Sequence, residues 1–253
     1  MTMKPSRTPR SRALDEAERI RETIRSINFL LKPFRIAKRG LNKVKSFLSY
    51  FIPIRTRWMR AQKNYVKWSS EELPPRYLNY IRDMGLRFAD FVGTTGLCLD
   101  VGSGNGLYGG VSYDEAGYRY LHPGDGDHIV GLDPLPLEGP IPSWIDDYVM
   151  GVCEWLPFRG VFDKISIATS FDHLFDHAKS LSELAMKPDG ELYIWTTCFK
   201  EATPDPYHPK RFTRKGIVKL LAQSPFKHEK TTIDDARLGW ETVFIKAKLE
   251  GYQ

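Results

Sequence analysis

The stretch "CLDVGSGNGLYGG", Cys98 to Gly110, decides how this chain is read. The run that leads into it, "GLCLDV", is short, apolar and continuous, the pattern of a strand buried on both faces. Three alternating glycines follow at once: Gly102, Gly104 and Gly106. Glycine lets backbone turn sharply and approach a ligand that a side chain would hold off. Between a first strand and a first helix, such a turn is a nucleotide-type loop, with ligands bound beyond the carboxyl ends of the strands. Ser103 and Asn105, between the glycines, belong to the same candidate binding set.

The pattern continues outward from the loop. "HIVGLDP" repeats the strand form and ends on Asp133, where a carboxylate can accept hydrogen bonds from a ribose diol. "YVMGV", "FDKISIAT", "ELYIWTT" and "TVFIKAKL" read as further strands. Helix-like stretches lie between them: "HAKSLSELAM", and "FTRKGIVKLLAQS" with Thr213 as its N-cap. A helix over Tyr77 to Val92 leads into the set. Strands alternating with helices predict an α/β domain with a doubly wound, mostly parallel sheet.

Charge divides the chain in two. Residues 1–68 carry 18 Lys and Arg against 4 Asp and Glu, a net +14; the remainder carries 19 against 27, a net −8. We read residues 1–68 as a basic N-terminal arm, disordered at first and then helical, and 69–253 as the acidic domain. In the arm, Leu41, Val44, Leu48 and Phe51 recur at helical spacing up to Pro53, beside Lys43 and Lys45. Residues 14–68 therefore suit an anionic membrane surface. The basic and aromatic residues around Trp58, Tyr65 and Trp68 make RNA a second candidate partner, by stacking; a solvated helical arm packing on the domain or on a homodimer partner is the third reading. The polar, basic first residues do not read as a secretory signal, and no apolar run approaches the roughly 20 residues that span a bilayer. Cys98, Cys153 and Cys198 form no CxxC pair, which suits a reducing compartment. The expected location is the cytoplasm, extending to the inner face of the membrane.

In order, "LDVGSGNG", "GLDP", "EWLPF", "FDKISIATSFDHLFD" and "MKPDGELYIWT" resemble the motifs of class I S-adenosylmethionine-dependent methyltransferases. The resemblance covers roughly Tyr77 to Leu249. It implies a Rossmann-like sheet of seven strands, closed by an antiparallel hairpin after "HPKRFTRKGIVKLLAQSPF". It also implies S-adenosylmethionine as cofactor, with Gly102–Gly106 under its methionine part and Asp133 on its ribose. Cys153, Glu154 and Trp155 would line the adenine, and Ser170 would join the same pocket. Asp100, one residue before the glycine turn, would meet the cofactor's amino group or orient the loop. Two departures stand out. Val152 takes a place where the family often has Asp, so Glu154 would have to replace it, and the interval from Gly106 to Asp133 is long. A nicotinamide-dependent oxidoreductase is the rival for the loop, but it would favour GxGxxG.

Methyl transfer to a hydroxyl needs alignment and a proton acceptor. "TSFDHLFDH" follows the fourth strand, at the sheet edge where the methyl group should point. His173 is the candidate base, Asp172 its orienting partner or substitute, and His208 in "YHPKRF" a second base. Asp172, His173, Asp176 and His177 also suggest metal ligation, but on a helix the two carboxylates and the two imidazoles share different faces. The expectation is no metal. The acceptor is expected to be a small molecule, a sugar or a lipid-linked glycan methylated on oxygen. RNA methylation and non-catalytic cofactor binding are the alternatives.

Overall fold

A computed structural model describes residues 54–69, 71, 74–93, 96–104, 107–108, 111–112, 128–137, 141–156, 158, 160–184, 186–199, 208–234 and 241–249. The amphipathic stretch ending at Pro53, together with Asn105, Gly106 and residues 113–127, lies outside them. All of the described residues belong to one compact unit that begins at Ser49.

Seven strands form the central sheet: β1 (Leu97–Val101), β4 (His128–Asp133), β5 (Asp147–Met150), β6 (Phe162–Ala168), β7 (Met186–Cys198), β8 (Phe226–Asp234) and β9 (Glu241–Leu249). Their order is β5-β4-β1-β6-β7-β9-β8. β5 through β7 run parallel, while β9 is antiparallel to β7 and β8 antiparallel to β9. Leu99, Ile165, Ile167, Leu192, Ile194, Val243 and Ile245 are fully buried, which explains why these strands read as unbroken apolar runs.

The helices are α1 (Ile54–Ser69), α2 (Pro75–Val92), α3 (His177–Glu183) and α4 (Arg214–Ala222). α2 starts with Pro75 in its first turn, where a missing N–H costs nothing. It buries Phe88 between Trp195 and Phe244, with ring centroids 5.7 and 5.3 Å away. α4 starts as the sequence implied: the Thr213 hydroxyl accepts from Gly216 N at 3.2 Å, and Ile217 and Leu221 face the core.

One finding departs from the sequence reading, and a second decides between its alternatives. The first concerns the helix expected directly after the glycine loop. Leu107–Tyr108 (β2) and Val111–Ser112 (β3) instead pair as a two-stranded antiparallel ribbon. The adjacent Gly109 and Gly110 oppose helix and favour a tight reversal, and Tyr108 and Val111 favour strand. The second concerns α1, which falls in the segment read as the arm. Trp58 is half-buried there and its ring meets Phe175 edge-on at 5.9 Å, while that of Tyr65 meets His173 at 6.0 Å. Both aromatic rings are engaged by the domain, where stacking on RNA would need them exposed; the side chain of Trp68 lies outside the described set.

Candidate active site

The site lies at the carboxyl edge of the sheet. There β1 ends in the glycine turn and β4 ends in Asp133. Gly102 and Gly104 take φ of 76° and 83°, left-handed values that favour glycine. A Cβ on Gly102 would come within 2.3 Å of the Ser170 side chain, so the position is closed to larger residues twice over. The loop folds onto β4, with Gly102 N and Ser103 N both donating to Leu132 O, at 2.7 and 3.3 Å.

Asp133 fastens this edge. Its Oδ2 accepts from Gly104 N and its Oδ1 from Leu135 N, each at 2.8 Å. Tyr148 on β5 donates to Leu135 O at 2.6 Å, tying the same turn from the far side. Each carboxylate oxygen keeps lone-pair capacity for a further donor. Burial pushes the Asp133 carboxyl up to about 6, against the pull of the two backbone donors. Burial likewise pushes Asp100 up to about 6, opposed by the Ser166 hydroxyl that donates to it at 2.7 Å and aided by the charge of Asp133. Asp100 is buried and outside the cavity lining, and its Oδ1 is held by Ser166 on β6.

The cavity is lined by Gly102, Asp133, Val152, Cys153, Glu154 and Ser170, and by His173 and Phe175. α1 contributes Trp58, Gln62 and Tyr65 to the same lining. Ser170 donates to Val101 O at 2.6 Å and so links the ends of β6 and β1. Cys153 is buried, with its thiol pushed up chiefly by burial. Glu154 is committed inside the protein: its Oε1 accepts from Asp176 N and from the Ser180 hydroxyl, both at 2.9 Å. That oxygen holds the start of α3. Trp155, expected against the adenine, is 64% exposed and outside the lining, with the Lys179 ammonium 4.1 Å above its ring. The 3-10 turn Cys153–Trp155 buries its first two side chains and turns the third outward.

Across the cavity, the 3-10 turn Phe171–His173 carries the catalytic candidates. Asp172 is buried and its Oδ2 accepts from His208 Nδ1 at 2.5 Å; His173 Nε2 lies 3.9 Å from the same oxygen. Burial alone would raise the Asp172 carboxyl, but His173 and His208 outweigh it and hold the group below the ordinary range. The sequence suggested Asp172 beside His173. It held no sign that His208, 36 residues away, would close on the carboxylate.

His177 and Asp176 point elsewhere. His177 Nε2 donates to Phe171 O at 2.6 Å and its Nδ1 faces the Lys210 ammonium at 3.2 Å, while Asp176 caps α3 by accepting from Lys179 N. The four candidate metal ligands therefore diverge, but not on the one helix their spacing assumed: Asp172 and His173 lie in the 3-10 turn, Asp176 is the N-cap of α3 and His177 its first residue. Ligand atoms of Asp172, His173 and His208 do lie within 4.8 Å of one another. Donors about 2.1 Å from one tetrahedral ion would stand roughly 3.4 Å apart. Asp172 and His208 stand closer than that, and a hydrogen bond between carboxylate and imidazole accounts for the contact.

Two residues were not singled out from sequence. Tyr148 holds the Asp133 turn, and Thr169, in the cavity lining, takes φ of 56°, an uncommon conformation for a β-branched residue. The i, i+4, i+7 spacing of Trp58, Gln62 and Tyr65 was a usable signal for the α1 face.

No family model and no curated protein sequence matches the chain. Among solved structures it is similar to the N-methyltransferase NodS of Bradyrhizobium japonicum WM9, in complex with S-adenosylhomocysteine, at 11% identity and TM-score 0.53, covering 76% of this chain and all of that one. It is also similar to a proposed methyltransferase of Bacillus halodurans C-125, at 15% identity and TM-score 0.51, covering 67% of this chain and all of that one. With its strand order, reversed β9 and Asp133-anchored glycine turn, the chain has the fold of the class I S-adenosylmethionine-dependent methyltransferases.

Proposed function

We propose that this chain is an S-adenosylmethionine-dependent methyltransferase acting on a hydroxyl group of a small molecule. The observation that carries this reading is the fastening of the Gly102–Gly104 turn to Asp133 beside the cavity. Asp133 would hold the ribose hydroxyls, Cys153 would face the adenine, and the Gly102–Ser103–Gly104 backbone would pass beneath the methionine part. When bound, the cofactor supplies an electrophilic methyl group on a sulfonium.

Alignment and proton removal fall to the protein. His173 lines the cavity and would take the acceptor's proton. Asp172, kept ionised by its two imidazole neighbours, stabilises the resulting imidazolium, and its hydrogen bond to His208 fixes its position. Among the described lining residues there is no Lys or Arg. That favours an uncharged small acceptor over a polyanion and counts against RNA as the methylated substrate. The absence of GxGxxG counts against nicotinamide chemistry. The Asp172–His208 pair beside the cavity favours catalysis over plain cofactor binding.

Calorimetry of the full-length protein with S-adenosylhomocysteine tests the cofactor reading. Binding is the expected result; heat with NADH and none with S-adenosylhomocysteine rejects it. Methyl-tritiated cofactor incubated with pooled small-molecule extracts then identifies the acceptor class.

A further inference from the structure

Helix α1 has two faces of opposite character. Ala61 is buried, and Trp58, Gln62 and Tyr65 look into the cavity. Arg60, Lys63 and Lys67, at i, i+3 and i+7, are exposed. The inward face does more than fill space. Trp58 Nε1 donates to the backbone carbonyl of His173 at 2.7 Å, while its ring rests edge-on against Phe175. The ring of Tyr65 meets the imidazole of His173. One helix thus holds the main chain of the proposed base and also touches its side chain. The backbone N–H of His173 donates within its own turn, to Ser170 O at 2.9 Å, while its carbonyl accepts from Trp58 on a separate element.

We propose that Trp58 is a positioning residue for the methyl-transfer centre, acting through the His173 carbonyl, and that Gln62 and Tyr65 contact the bound cofactor or acceptor. This rests on the reading of the cavity as a methyl-transfer site. A helix that only packed on the domain would need apolar bulk against it. An indole N–H withdrawn from water needs a partner, and here that partner belongs to the residue whose imidazole lines the cavity.

The test uses the full-length chain. Trp58→Phe keeps an aromatic ring and deletes the N–H donor, so it should fold, as a thermal melt will show. Histidine-labelled protein is titrated by NMR. In Trp58→Phe the His173 ring resonances and their titration midpoint should move, while those of the buried His177 stay in place. Unchanged His173 signals, or equal movement of both histidines, overturn the positioning role. Tyr65→Ala should weaken S-adenosylhomocysteine binding about tenfold by calorimetry, the scale of one good buried contact. Wild-type affinity in both Tyr65→Ala and Gln62→Ala overturns a contact with the cofactor, and wild-type KM for the identified acceptor in both as well overturns the ligand-contact role. If the wild type itself fails to bind S-adenosylhomocysteine, the functional reading and the ligand contacts fall together. The His173 titration still decides the role of Trp58, because it is read on the free protein.

Discussion

Asp133 has to do two things at once. It anchors the turns on either side, and on the proposed reading its remaining lone pairs receive the ribose hydroxyls. Asp133→Ala should weaken S-adenosylhomocysteine binding by about 1–3 kcal/mol by calorimetry, the scale of charge-assisted bonds left unmade. The pH dependence follows from its raised value. Hydrogen-bond acceptance needs the ionised form, so cofactor affinity should hold above about pH 6 and decline as pH falls through that value. Asp172→Asn keeps the shape of the turn and removes its charge. On an identified acceptor it should lower turnover by about 10²–10⁴-fold, with cofactor affinity little changed. Addition of a chelator should leave the wild-type rate as it was. Asp133 and the glycine turn could be read from the sequence because both are local patterns, a glycine spacing and a strand-end acid. The Asp172–His208 pair could not, because tertiary contact alone brings the two together. The engagement of Glu154 was hidden for a related reason: only the folded chain brings its Oε1 to Asp176 N and the Ser180 hydroxyl at the start of α3.

The elements show where local pattern sufficed and where it failed. α4 was legible down to its cap, and Thr213→Ala should cost about 1 kcal/mol in a denaturant melt, without effect on cofactor binding. The central strands were legible because a sheet buried on both faces leaves continuous apolar runs. β8, "FKHEKTTID", carries few apolar residues and lies at the sheet edge, paired only to β9 in the sheet. Only the family resemblance suggested it, as part of a closing hairpin. The ribbon after the glycine loop was missed because the expected βα unit outweighed the local evidence of Gly109 and Gly110. α3 carries its own pH signature. Burial, with the Lys210 ammonium next in weight, pushes His177 down to about 3, below its unfolded value of about 6.5. Between those values the unfolded chain binds a proton that the folded chain does not. This contribution to stability is therefore present above about pH 6.5 and lost as pH falls toward 3. His177→Asn should flatten the slope between pH 7 and 5 in thermal melts. Asp100 and Asp133, with raised values, act with the opposite sign, favouring the fold at low pH and losing that effect as pH rises through about 6. They are present in both proteins, so the difference between the two melts isolates His177.

For the molecule as a whole, the +14 and −8 division reads differently with α1 in view. The charge division put the arm, residues 1–68, outside the domain that carries the cofactor motifs. α1 instead lends the cavity three lining residues while presenting Arg60, Lys63 and Lys67 outward. No helix among the described residues is long and apolar enough to cross a membrane. We propose attachment of the basic segment to anionic lipid. The full-length protein should sediment with vesicles containing phosphatidylserine and much less with neutral ones. Salt should weaken the binding, since such attraction is screened over about 8–10 Å at physiological ionic strength. Equal sedimentation with both vesicle types, or steeply salt-dependent binding to RNA without binding to lipid, rejects the proposal.

Because the cavity wall and the cationic stripe are two sides of one helix, whatever grips the outer side can be felt on the inner one. Such coupling obeys reciprocity. If anionic vesicles tighten cofactor binding about tenfold, the cofactor must tighten vesicle binding by the same factor. A protein built this way would partition according to its own loading. Molecules charged with cofactor would collect at the surface, and spent ones would exchange faster into solution as their ligand leaves. Location would then report the methyl-donor supply, with no separate sensor domain.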